Sequence, residues 1–166
     1  MAKPKYDIER FIDDVAALLK AKMQDKLNQI NVEKATLGST ITLQDVPTES
    51  YYIHTWNDKI LNEPLAMFIA IEDVEAEPHG SYTKESYKVA VEITMTRDPN
   101  ETGNPMPSKL LRYSRALKEI FEENFKDMRE PTLIKIETVR PISFKLDTNT
   151  DDEILVGGVS LALSLG

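Results

Sequence analysis

This chain contains no cysteine, so neither a disulfide framework nor thiolate chemistry is open to it. That composition fits a protein made and used in a reducing compartment. Histidine is almost as scarce. His54 and His79 fall in separate loop-like contexts, and without cysteine they do not make a zinc site. No apolar run approaches the length needed to cross a bilayer. The opening "MAKPKYDIERFIDD" lacks the apolar core of a signal peptide. A basic block is missing too: Lys and Arg number 20 against 28 Asp and Glu, for a formal net charge of −8. An acidic chain of this kind is a poor ligand for phosphate backbones and for anionic membranes.

Catalytic signatures are equally thin. There is no Walker glycine loop, no G-x-G-x-x-G and no nucleophile elbow. Residues 147–158, "DTNTDDEILVGG", place Asp147, Asn149 and Asp151 as a calcium loop would. Asp152 then stands where glycine is needed, and Gly158 where a bidentate glutamate is needed, so a solvated turn is expected. Acid pairs such as Asp13-Asp14 and Asp151-Asp152 read as solvated surface. The expectation is a protein that is not an enzyme, with no metal and no cofactor.

What is present is the pattern of one α+β domain. A length of 166 residues supports a single core without staples. Ile8, Phe11, Ile12, Val15, Leu18, Leu19, Met23, Leu27 and Ile30 recur at helical spacing, with Asp7 as N-cap and an end near residues 28–31. Asp13, Asp14, Lys20, Lys22 and Lys26 make the polar face. Short strands are expected at 39–46 ("STITLQDV") and 51–57 ("YYIHTWN"). Longer ones are expected at 65–77 and 86–96, joined by a loose hairpin tip. A second amphipathic helix is predicted over 108–128, capped by Ser108. Strands at 132–140, 142–146 and 154–166 close the chain, with Gly157 and Gly158 marking a bulge or a close backbone approach. Strand neighbours are antiparallel, so two long helices should pack on an antiparallel sheet.

Two features ask for more than a fold. The stretch "RDPNETGNPMPSK" at 97–109 is far too long and turn-rich for a simple strand-to-helix connection. Either it is a surface loop, or Arg97, Asp98, Asn100, Glu101, Asn104 and Met106 belong to an arm that contacts another subunit. Lys109, Arg112 and Arg115 then crowd the start of the second helix, where its dipole disfavours cations. They either meet acids of a neighbour, such as Glu72, Asp73, Glu75 and Glu77, or form a solvated face with Arg115–Glu119 and Lys118–Glu122 pairs.

The segments "YDIERFIDDVAALLKAKM", "YKVAVEITMT" with the arm and "LLRYSRALKEIFEENF", then "VRPISFKL" and a last alternating strand, resemble the tail-terminator proteins of tailed bacteriophages. The likeness lies in element order over nearly the whole chain and is vague over 32–62. It implies a structural virion protein, assembled in the host cytoplasm into a homo-hexameric ring. Such a ring caps the tail tube, stops its polymerisation and meets the head-side connector, and a sheath if the tail contracts. DNA passes through the lumen without specific binding, which suits an acidic wall. A head-closure or neck component is the near alternative. A small soluble enzyme and a monomeric binding module are the distant ones.

Overall fold

The computed structural model describes residues 6–54, 63–97, 103–129, 131–145 and 153–165. Two helices, α1 (Ile8–Thr36) and α2 (Met106–Phe125), accompany strands β1 (Tyr51–Ile53), β2 (Leu65–His79), β3 (Tyr82–Thr96), β4 (Thr132–Lys145) and β5 (Glu153–Leu165). The strands form one sheet in the order β1-β2-β3-β5-β4. The fold is α+β, with both helices packed on the sheet. The pairing is antiparallel except at one edge, where β1 runs parallel to β2. A parallel neighbour needs more chain than a hairpin turn, and residues 54–64 supply it.

Helix α1 starts as its cap predicts: the Asp7 carboxylate accepts the Arg10 N–H at 3.0 Å. It runs past the expected end because the stop signal is Gly38, not the asparagines at 28 and 31. Gly38 sits at φ 86°, and the N–H groups of Gly38 and Ser39 bond to the carbonyls of Ala35 and Lys34. That is a Schellman closure, which favours glycine. Helix α2 begins two residues before Ser108, with no side-chain cap and a proline in its first turn. An early proline costs no hydrogen bond there, since those N–H groups have no intrahelical partner.

The core is one layer between helices and sheet. Phe11, Val15, Leu19, Met23, Leu27 and Ile30 of α1, and Leu110, Leu117, Ile120 and Phe121 of α2, are fully or almost fully buried. They meet Met67, Ile69, Val91, Ile93, Val159, Leu161 and Leu163 from one face of the sheet. Each such side chain contributes about 1.5–3 kcal/mol when buried. The helices run antiparallel: Phe11 packs on Phe125, Lys26 pairs with Glu123 at 2.6 Å, and Glu33 pairs with Arg115. Lys26, expected in the solvated face, is only 8% exposed. Its stem lies on the core while its ammonium reaches the α2 acids.

Three strand expectations are corrected. Residues 39–46 form no strand. Their backbone groups are held by side chains instead: Asn31 brackets Leu43, Arg112 donates to the Ile41 carbonyl and Ser39 Oγ, and the Tyr113 hydroxyl donates to the Gln44 carbonyl. The tip between β2 and β3 is not loose. The strands continue to a two-residue turn, Gly80–Ser81, with Gly80 at φ 65° in the first central position, where primed hairpin turns favour glycine. Residues 132–145 form one strand rather than two. The ladder irregularity between Val139 and Ile142 absorbs Pro141. An edge strand tolerates a missing N–H. Of the segment expected at 51–57, residues 51–53 are β1, and 55–57 lie outside the described residues, as do Leu146 and the 147–152 turn.

Candidate assembly surface

The register of the sheet places the predicted contact residues in two groups at opposite ends. Leu110, near the start of α2, lies over Gly157, whose added Cβ would meet Leu110 Cδ2 at 2.9 Å. Gly157 pairs with Ile93, and Ile93 with Met67. The basic group therefore sits at the level of Met67 on β2. Asp73, Glu75 and Glu77 follow along the same strand. At about 3.3 Å per residue they stand roughly 20–33 Å further out.

The basic end is only partly available. Arg115 makes a two-pronged bond to Glu33 at 2.9 and 2.8 Å, and its Nε donates to Glu119 at 2.8 Å. Those bonds hold the Glu33 carboxyl below its usual range and raise the Arg115 guanidinium further. Lys118 and Glu122 lie 3.8 Å apart. The two pairs expected from helical spacing are thus present. The Glu33 partner was not foreseen, since nothing local in sequence joins residues 33 and 115. Arg112 is half-buried and ties down 39–41. Lys109 is half-buried, and Asn104 is exposed just before α2. Met106 is 1% exposed and belongs to the chain's own core, so the subunit does not present it outward. The Arg97 N–H donates to the Glu153 carbonyl at 3.2 Å, fixing where the arm leaves β3. Asp98, Asn100 and Glu101 lie outside the described residues.

The acidic end is the far half of the β2–β3 ribbon, whose tip, Glu77–Lys84, reaches beyond the described part of β5. Every residue from Glu72 to Glu85 is exposed, so neither helix covers this half of the hairpin. It begins at a bulge between Ile71 and Asp73, beyond which Val74, Ala76 and Pro78 continue the helix-side face of β2 and Asp73, Glu75 and Glu77 take the other. Cross-strand pairing sets Asp73 opposite Lys88 and Glu77 opposite Lys84. The Tyr87 hydroxyl bonds Glu85, and that contact pushes it up to about 12. His79 packs edge-on against Tyr82 at the tip, while His54 lies 3.4 Å from Asp13 near α1. One shallow hollow of about 190 Å³, lined in part by Asp73, Glu75 and Lys88, lies at the ribbon's base. It is smaller than usual small-molecule sites. Among the described residues no three His, Asp or Glu side chains converge as a metal site would require.

The sheet face away from the helices carries Phe68, Ala70, Ala90, Glu92, Thr94, Ser160 and Ala162, by the same register. Ser160 Oγ donates to Glu72 at 3.0 Å. Burial, and then the nearby Glu72 charge, raise the Glu92 carboxyl above its ordinary value. Because the folded value is raised, the folded state holds this proton longer than the unfolded one. Stability therefore falls as pH rises from the ordinary carboxylate range through the folded value. Glu92→Gln is expected to raise the melting midpoint at neutral pH. The gain should shrink as pH approaches 4.5, the ordinary value. Melts across pH 4–8 check this; a pH-independent shift would contradict it.

No family model matches this chain, and no curated protein is significantly similar to it. No described helix is long and apolar enough to cross a membrane.

Proposed function

We propose that this chain is a structural virion protein of a tailed phage. In this reading it forms a ring that caps the tail tube, ends tube polymerisation and joins the tail to the head-side connector. The observation that carries it is the β2–β3 ribbon. A closed two-layer core has no use for a ribbon exposed from Glu72 to Glu85, whereas a ring subunit needs an element that reaches its neighbour. Element order along the chain supports the same reading, as does a surface with more acids than bases beside passing DNA.

The test is a phage lacking this gene product, imaged with and without the purified protein supplied. Tails of uncontrolled length, lacking heads, are expected without it. Tube ends closed by a six-fold ring are expected on its addition. Tails of normal length still joined to heads, or a single copy per tail, would overturn the reading.

A further inference from the structure

Both edges of the sheet are open, and they differ in sign. A strand edge offers a row of backbone N–H and C=O groups to any extended segment. On one side, β1 covers β2 only from Met67 to Ile69. From Glu72 to His79 the only strand beside β2, among the described residues, is β3. That edge carries Glu72, Asp73, Glu75 and Glu77, and no Lys or Arg. On the other side, β4 pairs with β5 alone among the described strands. Its entry carries Arg129 and Lys135. Arg129 is exposed and has no ion-pair partner among the described residues, while Lys135 bonds Glu137. Two β2 edges brought together set acid against acid, and two β4 entries set cation against cation. A β2 edge beside a β4 entry sets acids against cations.

The two edges also agree in direction and in face. Each of β2, β3, β5 and β4 is antiparallel to the next, so β4 runs opposite to β2. A second copy set beside the first in the same orientation therefore brings its β4 antiparallel to β2, with the helix layers on one side. The cross-strand rows then continue. One row runs through Asp73, Lys88, Ala162 and Lys135 on the face away from the helices. The next runs through Val74, Tyr87, Leu163 and Leu133 on the helix side. Carried into the neighbour, the first row sets Asp73 beside a second Lys135. The second sets Val74, which is 50% exposed, beside a second Leu133, which is partly buried at the core's margin. Glu75 and Glu77 share the face of Asp73, so a shift along the strand that keeps the faces aligned still finds an acid.

We propose that the Thr132–Glu137 stretch of β4 in one subunit pairs antiparallel with the outer edge of β2, Glu72–Glu77, in a second copy, so that the sheet runs on from subunit to subunit. This rests on the ring reading and names the surfaces through which the ring would close. The contact joins different edges of identical chains, so it propagates head to tail and closes when the rotation allows. Its limits are built in. On one side β1 occupies Met67–Ile69, and on the other Pro78 has no N–H to give.

The absence of cysteine makes the test clean. Full-length Thr132→Cys is mixed in equal amounts with Asp73→Cys, Glu75→Cys or Glu77→Cys, whose side chains share its face. Each mixture is oxidised in solution and on tail tubes. At least one mixture should give disulfide dimers. Thr132→Cys alone, and its mixture with Val74→Cys on the opposite face, should not. In the unaltered protein, amide exchange over 72–77 and 132–137 should slow about tenfold or more in the multimer relative to the monomer. Glu75→Lys/Glu77→Lys should reduce multimers roughly tenfold while circular dichroism stays native, and adding Arg129→Glu/Lys135→Glu should restore part of them. Multimers seen by native mass spectrometry with both edges exchanging as in the monomer would overturn the edge pairing and leave the ring reading standing. Disulfide dimers of Thr132→Cys alone would overturn it as well, since like edges then meet. Protection of only one edge, and only on tubes, would assign that edge to the tube protein and overturn the pairing. A chain that never multimerises, in solution or on tubes, would overturn both.

Discussion

Replacing Gly158 with alanine should unfold the protein or lower its stability by about 3 kcal/mol or more. Gly158 lies in the middle of β5 at φ 147°, a conformation that side chains with a Cβ rarely adopt. An added Cβ would stand 2.1 Å from the Val91 carbonyl oxygen and 3.0 Å from Glu92 Cα. Both obstacles are backbone of β3, held on each side by its ladders to β2 and β5. Neither can move without breaking the centre of the sheet. Gly157→Ala is the control. Its Cβ would meet the Leu110 side chain at 2.9 Å, and a flexible leucine end can yield. Overpacking of that kind costs roughly 1–3 kcal/mol. Chemical denaturation of the two variants should therefore give clearly separated midpoints, Gly158→Ala the lower. Equal midpoints would show that the β3–β5 approach at this level is not tight.

The pair of glycines was legible as a close approach, because glycine inside an alternating strand has few other uses. Which of the two is indispensable was not. That depends on β3 lying beside β5, a pairing between residues about 65 positions apart. The same division holds elsewhere. Helical periodicity placed α1 and α2, and alternation placed β3 and β5, since each signal is local. Segment 39–46 has strand-like alternation, yet its backbone partners are Asn31, Arg112 and Tyr113, up to 73 positions away. Propensity cannot see partners of that kind. Gly38 is a helix stop that local pattern can signal, although the asparagines before it compete as candidates. Pro141 suggests a break between strands, yet on an edge strand it is only an irregularity in the ladder.

The candidate surface was half legible. Acids on β2 and cations on α2 were visible in the sequence, and so were the Arg115–Glu119 and Lys118–Glu122 spacings. That the two sets stand at opposite ends of one sheet is a consequence of register, which no single segment encodes. Register also turns the charge stripe from a set of outward cations into a tie. Arg112 and Arg115 hold α1 and the 39–41 segment first, so reversing them would test internal structure and assembly together. Leu111, 57% exposed beside them, is the cleaner probe.

Phe121→Ala should cost about 3–5 kcal/mol, in contrast to less than about 0.5 kcal/mol for Leu111→Ala on the same helix. Phe121 is fully buried and stacks on Phe125 with ring centroids 5.5 Å apart. Phe125 in turn meets Phe11 of α1 at 5.5 Å, so the three rings join the helices near the ribbon end of the core. Removing the Phe121 ring opens a cavity that Phe125 cannot fill without giving up its contact with Phe11. For a domain of this size the loss corresponds to a fall of roughly 6–20 °C in the melting midpoint. Urea unfolding should show a lower midpoint with an unchanged slope, since the same surface is exposed on unfolding. Assembly adds a further distinction. Association that favours the folded chain raises its apparent stability with concentration. If the chain multimerises, the Phe121→Ala midpoint should climb as protein concentration rises, because its exposed surface is intact. A Phe121→Ala midpoint within about a degree of the unaltered protein would refute the packing argument, given the size of shift expected.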